Sequence, residues 1–441
     1  MADNPLIPDA NAFPRESAQP VGEPRLLGPV RDQLLLVPSH LEELLAPDHR
    51  ARAVWEFVKG LDLEAFYARI RSVEGHGGRP AIDPAILMAL WLYATVEGVG
   101  SARALERLCE AHDAYRWICG GVSVNHHTLS DFKGDHPDLL DPLLTQSVGA
   151  LMAEGMVTLE RVAQDGVRVR ASAGASSFRR KESLEGCLKE AEEQVAALRR
   201  ELHDDPQATT RRQAAAKQRA ARDRVERVGR ALKQQEAAAA KKKTQKEKDA
   251  TRASTTDPEA RVMKMADGGF REAYNAQFST DTASQVIVGV GVGNVGSDLG
   301  QLPPMMEQVE TRLGKRPTSM LVDGGFVRHE DIESEAAKGS AVYAPVLKKR
   351  KDPTWDPHAA RPGESEALTR WRGRMGTPEA KEIYKERAST AECVNALARM
   401  RGLRQFLVRG MEKVRAVLLW FALAHNMMRA RSLRARAVRA T

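Results

Sequence analysis

Aromatic residues are scarce in this sequence: Phe, Trp and Tyr make up 5% of 441 residues. Cysteine is scarcer. The four present (Cys109, Cys119, Cys187, Cys393) are scattered and form no CxxC pair. That argues against a zinc site and against a secreted disulfide scaffold, so a reducing cytoplasm is expected. Long apolar runs are also missing. The longest, near Ile86–Val96 and Ala416–Ala424, are too short to span a bilayer. The N-terminus, MADNPLIPDANAFPRES, has no apolar signal-peptide core. A soluble protein with no membrane partner is therefore expected. What the sequence has in surplus is positive charge, with 67 Lys and Arg against 59 Asp and Glu and a pI near 9.3. A basic balance fits an anionic partner such as nucleic acid. The length allows two or three domains.

Residues 1–36 form a Pro-rich leader with the composition of a disordered segment. Ser39 can cap a helix beginning HLEELL, and further helices are expected over 51–59 and 63–71. Ile82–Val96 reads as a buried helix with Pro84 tolerated in its first turn. SARALERLCEAHDAYRWICGG follows as a helical stretch ending at Gly120-Gly121. Asn125 then caps HHTLSDFKGDH, which presents Thr128, Ser130 and Lys133 outward. Short helices around a Gly-Gly turn suit a helix-turn-helix, with Lys133 as a candidate phosphate contact. They suit an all-helical packing or dimerisation domain equally well. His112, His126, His127 and His136 match no metal-ligand spacing.

At Leu159 the pattern changes to period two. In LERVAQDGVRVRAS, Asp165 shares a face with Val167 and Val169, while Arg168 and Arg170 point the other way. An acid on a strand's apolar face is unfavourable unless it meets a cation; pairing with an arginine is the plainer alternative. Residues 178–252 then shift to Ala, Gln, Arg, Lys and Glu, with 21 Lys and Arg against 13 Asp and Glu. Two long helices broken near Asp204-Asp205-Pro206 would make an inserted antiparallel hairpin. It reads either as a solvated arm or as a contact for phosphates or a second subunit.

Strands resume at Ala273–Asp281 and Gln285–Asn294. The latter holds Gly291-x-Gly293-x-x-Gly296, but no helix opens within the glycines, as a dinucleotide fingerprint requires. Asp298-x-x-Gln301 reads as a capping box for a helix from Leu299 to Leu313, which makes Asp298 a cap and not a catalytic acid. Thr318–Phe326, TSMLVDGGF, is a short apolar strand that stops on Asp323 and two glycines. In open α/β sheets, sites lie at the carboxyl ends of strands, though Asp before Gly-Gly also simply makes turns. A helix over His329–Ala337, a strand over Ala341–Val346 and a basic Pro-rich linker follow. Ser389-x-x-Glu392 is a second capping box, predicting a helix from Thr390. Glu412–Arg429 should be a core helix, and the last residues are Arg-rich.

This order of elements is ribonuclease H-like α/β, with acids on the first strand, the fourth strand and a late helix. The chain resembles the DDE transposases of bacterial insertion sequences. RPAIDPAILMALWLYATVEGVGSARALERL and HHTLSDFK resemble the helical N-terminal domain of one branch. DPEARVMKMADGGFREAYNAQFSTD and LVDGGF resemble its catalytic core. Tyr384-x-x-Arg387, Glu392 and Arg399 resemble the family's Tyr–Arg–Glu–Lys signature. Two departures stand out. Four residues separate Arg387 from Glu392, where many members have three, which leaves Glu386 as the rival acid. Arg399 stands where Lys is usual.

The resemblance implies a helical DNA-binding domain over 37–150, a DDE domain over 151–177 and 253–430, the hairpin over 178–252 and a basic tail over 431–441. It implies a nucleoid-associated cytoplasmic enzyme that assembles as a homo-oligomer on double-stranded DNA, at its element's ends and a target. It implies Asp165, Asp323 and Glu392 as the catalytic acids, converging to hold two Mg²⁺ ions (Mn²⁺ can substitute). Tyr384, Arg387 and Arg399 would contact DNA. A nuclease of the same fold and a catalytically silent DNA-binding relative are the rival readings.

Overall fold

The computed structural model describes residues 40–75, 79–204, 210–347 and 355–440. The leader, Ser39 as a cap, residues 348–354 of the basic linker and the 205–206 part of the hairpin break lie outside the described residues.

The front of the chain is helical. A 3₁₀ turn at Leu41–Leu44 precedes α1 (Arg50–Lys59), α2 (Glu64–Tyr67), α3 (Pro84–Val96), α4 (Ala102–Ala111), α5 (Asp113–Cys119), α6 (His126–Gly134) and α7 (Pro137–Ala153). Local chemistry sets several of these ends. The Asp83 carboxylate accepts from Ala85 N at the start of α3, with Pro84 in the first turn, where its missing N–H costs nothing. Asn125 caps α6 as its sequence predicts, accepting from Thr128 N at 3.0 Å. The stretch read as one helix after Ser101 is two. His112 is extended, ends α4, and offers Nδ1 to Ala114 N to start α5.

The sheet follows. Its strands are β1 (Arg161–Arg170), β4 (Arg261–Lys264), β5 (Phe270–Asp281), β6 (Ile287–Gly293), β7 (Ser319–Leu321) and β8 (Ala341–Tyr343); β2 (Phe178–Arg179) and β3 (Ala253–Ser254) pair separately. Across the sheet the order is β6-β5-β1-β7-β8, with β4 pairing the start of β5 on the same edge as β6, away from β1. β5 runs antiparallel to β1 and β6, whereas β1, β7 and β8 are parallel. The architecture is a mixed α/β sheet with a helical N-terminal region.

Helix α11 (Leu302–Leu313) packs on β6 through glycine. A β-carbon at Gly289 would stand 2.6 Å from Met305 Sδ, and one at Gly291 3.1 Å from Met305 Cε. Gly291 of the formal fingerprint, with Gly289 before it, thus lets helix and strand approach. The open edge of β6 is covered by side-chain amides: Gln308 bonds both N and O of Val290, and Asn426 both N and O of Ile287. Such pairing blunts an edge that could otherwise template aggregation.

Asn426 lies on α16 (Met411–Ala440), the expected core helix, which packs against α3, α6, α7 and β6. Phe421 meets Phe278 of β5 at 5.3 Å between ring centroids, and Trp420 donates to the Lys133 carbonyl of α6 at 3.0 Å. One hydrophobic core therefore runs from the front helices through α16 into the sheet.

The insertion consists of α8 (Lys181–Asp204), α9 (Arg211–Ala240) and α10 (Gln245–Ala250), with α8 and α9 packed side by side. The β2–β3 pair clasps its base, so its ends do lie together. The remaining helices are α12 (His329–Ala337), α13 (Glu366–Gly376), α14 (Pro378–Arg387) and α15 (Cys393–Met400). Among the described residues, no helix is long and apolar enough to cross a membrane.

Candidate active site

Parallel pairing between β1 and β7 ends at Ala163 opposite Leu321. Asp165 and Asp323 each follow two residues later, so both lie where the strands part. Past Leu321 the chain turns: Asp323 Oδ1 accepts from Gly325 N at 2.7 Å and caps the 3₁₀ turn Gly324–Phe326. The turn-forming role and the strand-end position thus coexist in one residue.

Asp165 is mostly enclosed, its side chain 18% exposed. Its Oδ1 accepts from Gly166 N at 2.9 Å, and its Oδ2 accepts from Asn395 Nδ2 at 3.0 Å. Arg387 lies 3.7 Å from the same Oδ2. Burial pushes the Asp165 carboxyl up to about 6; Arg387 opposes this, and the charges of Asp323 and Asp298 add to it. A carboxylate held this way attracts a cation.

Glu392, the third acid expected from the sequence, sits on a helix with a defect. The helical run continues past Arg387 to Glu392, and the predicted cap at Ser389 is not formed. Residues Ala388–Glu392 make a π turn that joins α14 to α15, and Ser389 Oγ donates to Glu386 O at 3.0 Å. Helical backbone on both sides leaves no free N–H for a Ser cap to serve. The π turn takes in one extra residue, so Glu392, five positions on, returns to Arg387: Arg387 Nη2 to Glu392 Oε1 is 3.3 Å. Arg387 thereby stands between Asp165 and Glu392. The rival, Glu386, is bonded elsewhere, to Arg161 Nε at 2.9 Å and Thr282 Oγ1 at 2.8 Å.

The expected convergence of three carboxylates is not realised. Among the described residues, no three His, Cys, Asp or Glu side chains come close enough to hold one metal ion. The reason is visible at Glu392, which is 60% exposed and turned to Arg387. The donor chemistry nonetheless suits a hard divalent ion, since carboxylate oxygens border the parting strands.

Tyr384 donates to Val322 O at 3.1 Å and so ties α14 to the end of β7; burial pushes its hydroxyl pKa up. Arg399 is exposed and lines a cleft of about 370 Å³ that begins at Gly166 and includes Arg168, Arg170, Arg271 and Arg404. The chain beyond α15 runs along the end of β1, with Phe406 N bonded to Arg170 O at 2.8 Å, which holds the segment carrying Arg404 against that strand.

Lys133 requires correction. It is buried, 8% exposed, with Nζ 2.7 Å from Gly100 O and 4.2 Å from the Trp91 ring centroid. Burial pushes its ammonium down to about 8. The outward assignment failed because α6 is covered on that side by α16, far away in sequence. Lys133 is not available to a phosphate here.

Asp298 also departs from its reading. α11 begins at Leu302 with no side-chain cap. Asp298 instead accepts on Oδ1 from Asn275 Nδ2 at 2.7 Å and Gln277 Nε2 at 2.6 Å. Asn395, Asn275 and Gln277 were likewise not identified from sequence. The last two carried a signal: amides alternating with Ala276 and Phe278 on one strand mark a polar face where a core was expected.

An acid-lined parting of parallel strands, edged by an arginine cleft, is an arrangement suited to phosphodiester chemistry on nucleic acid. Residues 39–135 match a transposase domain (DUF772), and residues 350–431 match a transposase DDE domain. The two matches indicate a DDE transposase of the insertion-sequence kind, as the sequence resemblance implied. The second match includes Tyr384, Arg387, Glu392 and Arg399, while Asp165 and Asp323 fall between the matched regions. Neither the curated proteins nor the solved structures yield a match.

Proposed function

We propose that this transposase cuts DNA at its element's ends and joins the freed 3′-hydroxyls to target DNA, using Asp165, Asp323 and Glu392 on a ribonuclease H-like core. The observation that carries this reading is the placement of Asp165 and Asp323, each two residues beyond the last parallel pair of β1 and β7, with Arg387 and Glu392 across from them.

Asp165 and Asp323 would hold divalent ions, with Glu392 joining them once it leaves Arg387. When bound, such ions activate the attacking oxygen and steady the leaving one. The chain's own part is placement. Asn395 and Gly166 N fix the Asp165 carboxylate, and Tyr384 fixes the turn that presents Asp323. Arg387, released from the acids, would meet a phosphate oxygen, and the Arg399 cleft would seat the flanking backbone; such contacts position DNA and do not make bonds. The assembled form would be a homo-oligomer on two ends. The front helices over 37–150 would be its DNA-binding region, folded onto the domain comprising 151–177 and 253–430.

The test is cleavage and joining of DNA carrying the element's ends in Mg²⁺ or Mn²⁺. Asp165→Asn, Asp323→Asn and Glu392→Gln should each abolish both while leaving DNA binding intact. Cutting without joining of a pre-cut end would make the protein a nuclease. Binding with neither would make it a silent relative. Full activity in Glu392→Gln would move the third acid elsewhere.

A further inference from the structure

Asp165 and Gly166 project to opposite faces of β1. Behind Gly166 there is no room for a side chain, because a β-carbon there would collide with Asp298 Oδ1 and Gln277 Nε2. Asp298 reaches this place from the loop between β6 and α11, and its side chain is only 14% exposed. The two amides that donate to its Oδ1 come from β5, and Asn275 and Gln277 are each 2% exposed. Gln277 is itself held, its Oε1 accepting from Gln164 Nε2 at 3.1 Å. Burying a row of amides is costly unless each finds a partner. Here the row is spent on one oxygen of one carboxylate, which fixes the direction of the other.

That other oxygen, Oδ2, lies 3.8 Å from Arg168 Nη2. It is also 3.9 Å from the point a β-carbon at Gly325 would occupy, and Asp323 Oδ1 is 3.0 Å from the same point. Asp298 and Asp323 therefore border one gap beside Gly325. Gly166 makes room for Asp298 behind β1, and Gly325 keeps clear the gap between Asp298 and Asp323. A helix cap would explain none of this, since α11 starts four residues later without it.

We propose that Asp298 is a fourth acid of this site, a positioning carboxylate that strengthens divalent-cation binding at Asp165 and Asp323 from behind β1. The inference rests on the proposed catalytic reading, and it adds a residue that neither family match covers.

The experiment is Mn²⁺ titration of the full-length protein without DNA, followed by electron paramagnetic resonance, for wild type, Asp165→Asn, Asp298→Asn and Asp298→Glu. Asp298→Asn keeps an oxygen for Asn275 and Gln277 and removes the charge. It should weaken Mn²⁺ binding by about 10- to 100-fold, the usual cost of losing a supporting group around a metal. Its metal-free melting temperature should be unchanged or higher, because like charges near Asp165 are reduced. Asp298→Glu should recover part of the affinity. If Asp298→Asn binds Mn²⁺ as wild type does while Asp165→Asn does not, the fourth acid is overturned and the catalytic reading stands. If Asp165→Asn itself keeps wild-type affinity, the catalytic reading fails first. Should Asp298→Asn not fold, Gln277→Ala takes its place: it removes one donor, leaves the carboxylate, and should also weaken Mn²⁺ binding, unaltered affinity again overturning the role.

Discussion

Arg387 and Glu392 touch at 3.3 Å although they are five positions apart. In a regular α-helix that spacing would turn them well away from each other, since each residue advances about 100°. The π turn at Ala388–Glu392 removes that offset. π-bulges recur at functional sites because they re-aim a side chain without ending the helix. The same turn explains how this chain carries four residues between Arg387 and Glu392 and still brings them together.

Deleting Ser389 should therefore convert the segment to regular helix and rotate α15 against α14 by about 100°. Tyr384 is anchored to Val322, and Asn395 to Asp165, on either side of the turn. Both anchors cannot survive the rotation. Metal-dependent cleavage should fall below detection, while far-ultraviolet circular dichroism stays helical. Wild-type cleavage by the deletion variant would show that the extra residue does not place Glu392.

Several front helices, α11, α12 and α16, the first long strand, the β5–β6 hairpin and the inserted arm were legible from periodicity and turn residues, whereas α7, α13 and α14 were not read. The two capping boxes were not reliable. Ser389 and Asp298 each have the right spacing, yet the chain before Ser389 is already helical and leaves no helix end to cap, and Asp298 is taken up by Asn275 and Gln277 while α11 starts four residues on. Lys133 failed for a related reason: α6 alone shows an outward lysine, and only α16, almost 300 residues later, covers it. Asp165 and Asp323 could be read because an acid at an apolar strand is anomalous on its own. Asn395 and Asp298 could not, because their partners come from other elements.

Lys133 gives the second prediction. A phosphate contact at this residue would reduce the salt slope of DNA binding by about 1 when removed. The ammonium is enclosed by Gly100 O and Trp91 instead. Lys133→Met should leave both the affinity for end DNA and its salt dependence unchanged. A flattened slope would mean that α16 and α6 separate on DNA.

His425 gives a pH dependence. It is 2% exposed on α16, with Nε2 2.8 Å from Gln285 O, and burial holds its pKa down to about 4 from an ordinary 6.5. Between those values the unfolded chain binds a proton that the native chain does not. Acid therefore favours unfolding, and stability is lost as pH falls from 6.5 towards 4, by up to roughly 3 kcal/mol. His425→Gln can still donate to Gln285 O and has nothing to titrate. In urea unfolding at pH 7 and pH 4.5, the loss on acidification should be smaller in the variant than in wild type. Equal losses would place the acid sensitivity elsewhere.

The inserted hairpin gives the last. Its root is part of the fold. β2 and β3 clasp it, Arg227 of α9 donates to Thr255 O at 3.0 Å, and Gln235 donates to Thr251 O at 3.3 Å. Leu184, Ala231 and Ala253 form a small core there. Beyond it the helices meet through small buried residues, Ala191 and Ala221, and exposed polar pairs such as Arg224 with Gln194 and Glu190. Exposed pairs of this kind add little stability, and shortening a surface connection changes closure entropy only logarithmically. Replacing residues 190–224 with a short Gly/Ser linker should thus leave the melting temperature within a few degrees and Mn²⁺ binding intact. The surplus of Lys and Arg in the arm would then act in assembly, on DNA or on a second subunit, and the shortened protein should fail to pair two ends. Normal pairing and joining by this variant would make the arm a passive solvated hairpin. A large drop in melting temperature would mean that the outer turns, and not the clasp, hold the insertion to the sheet.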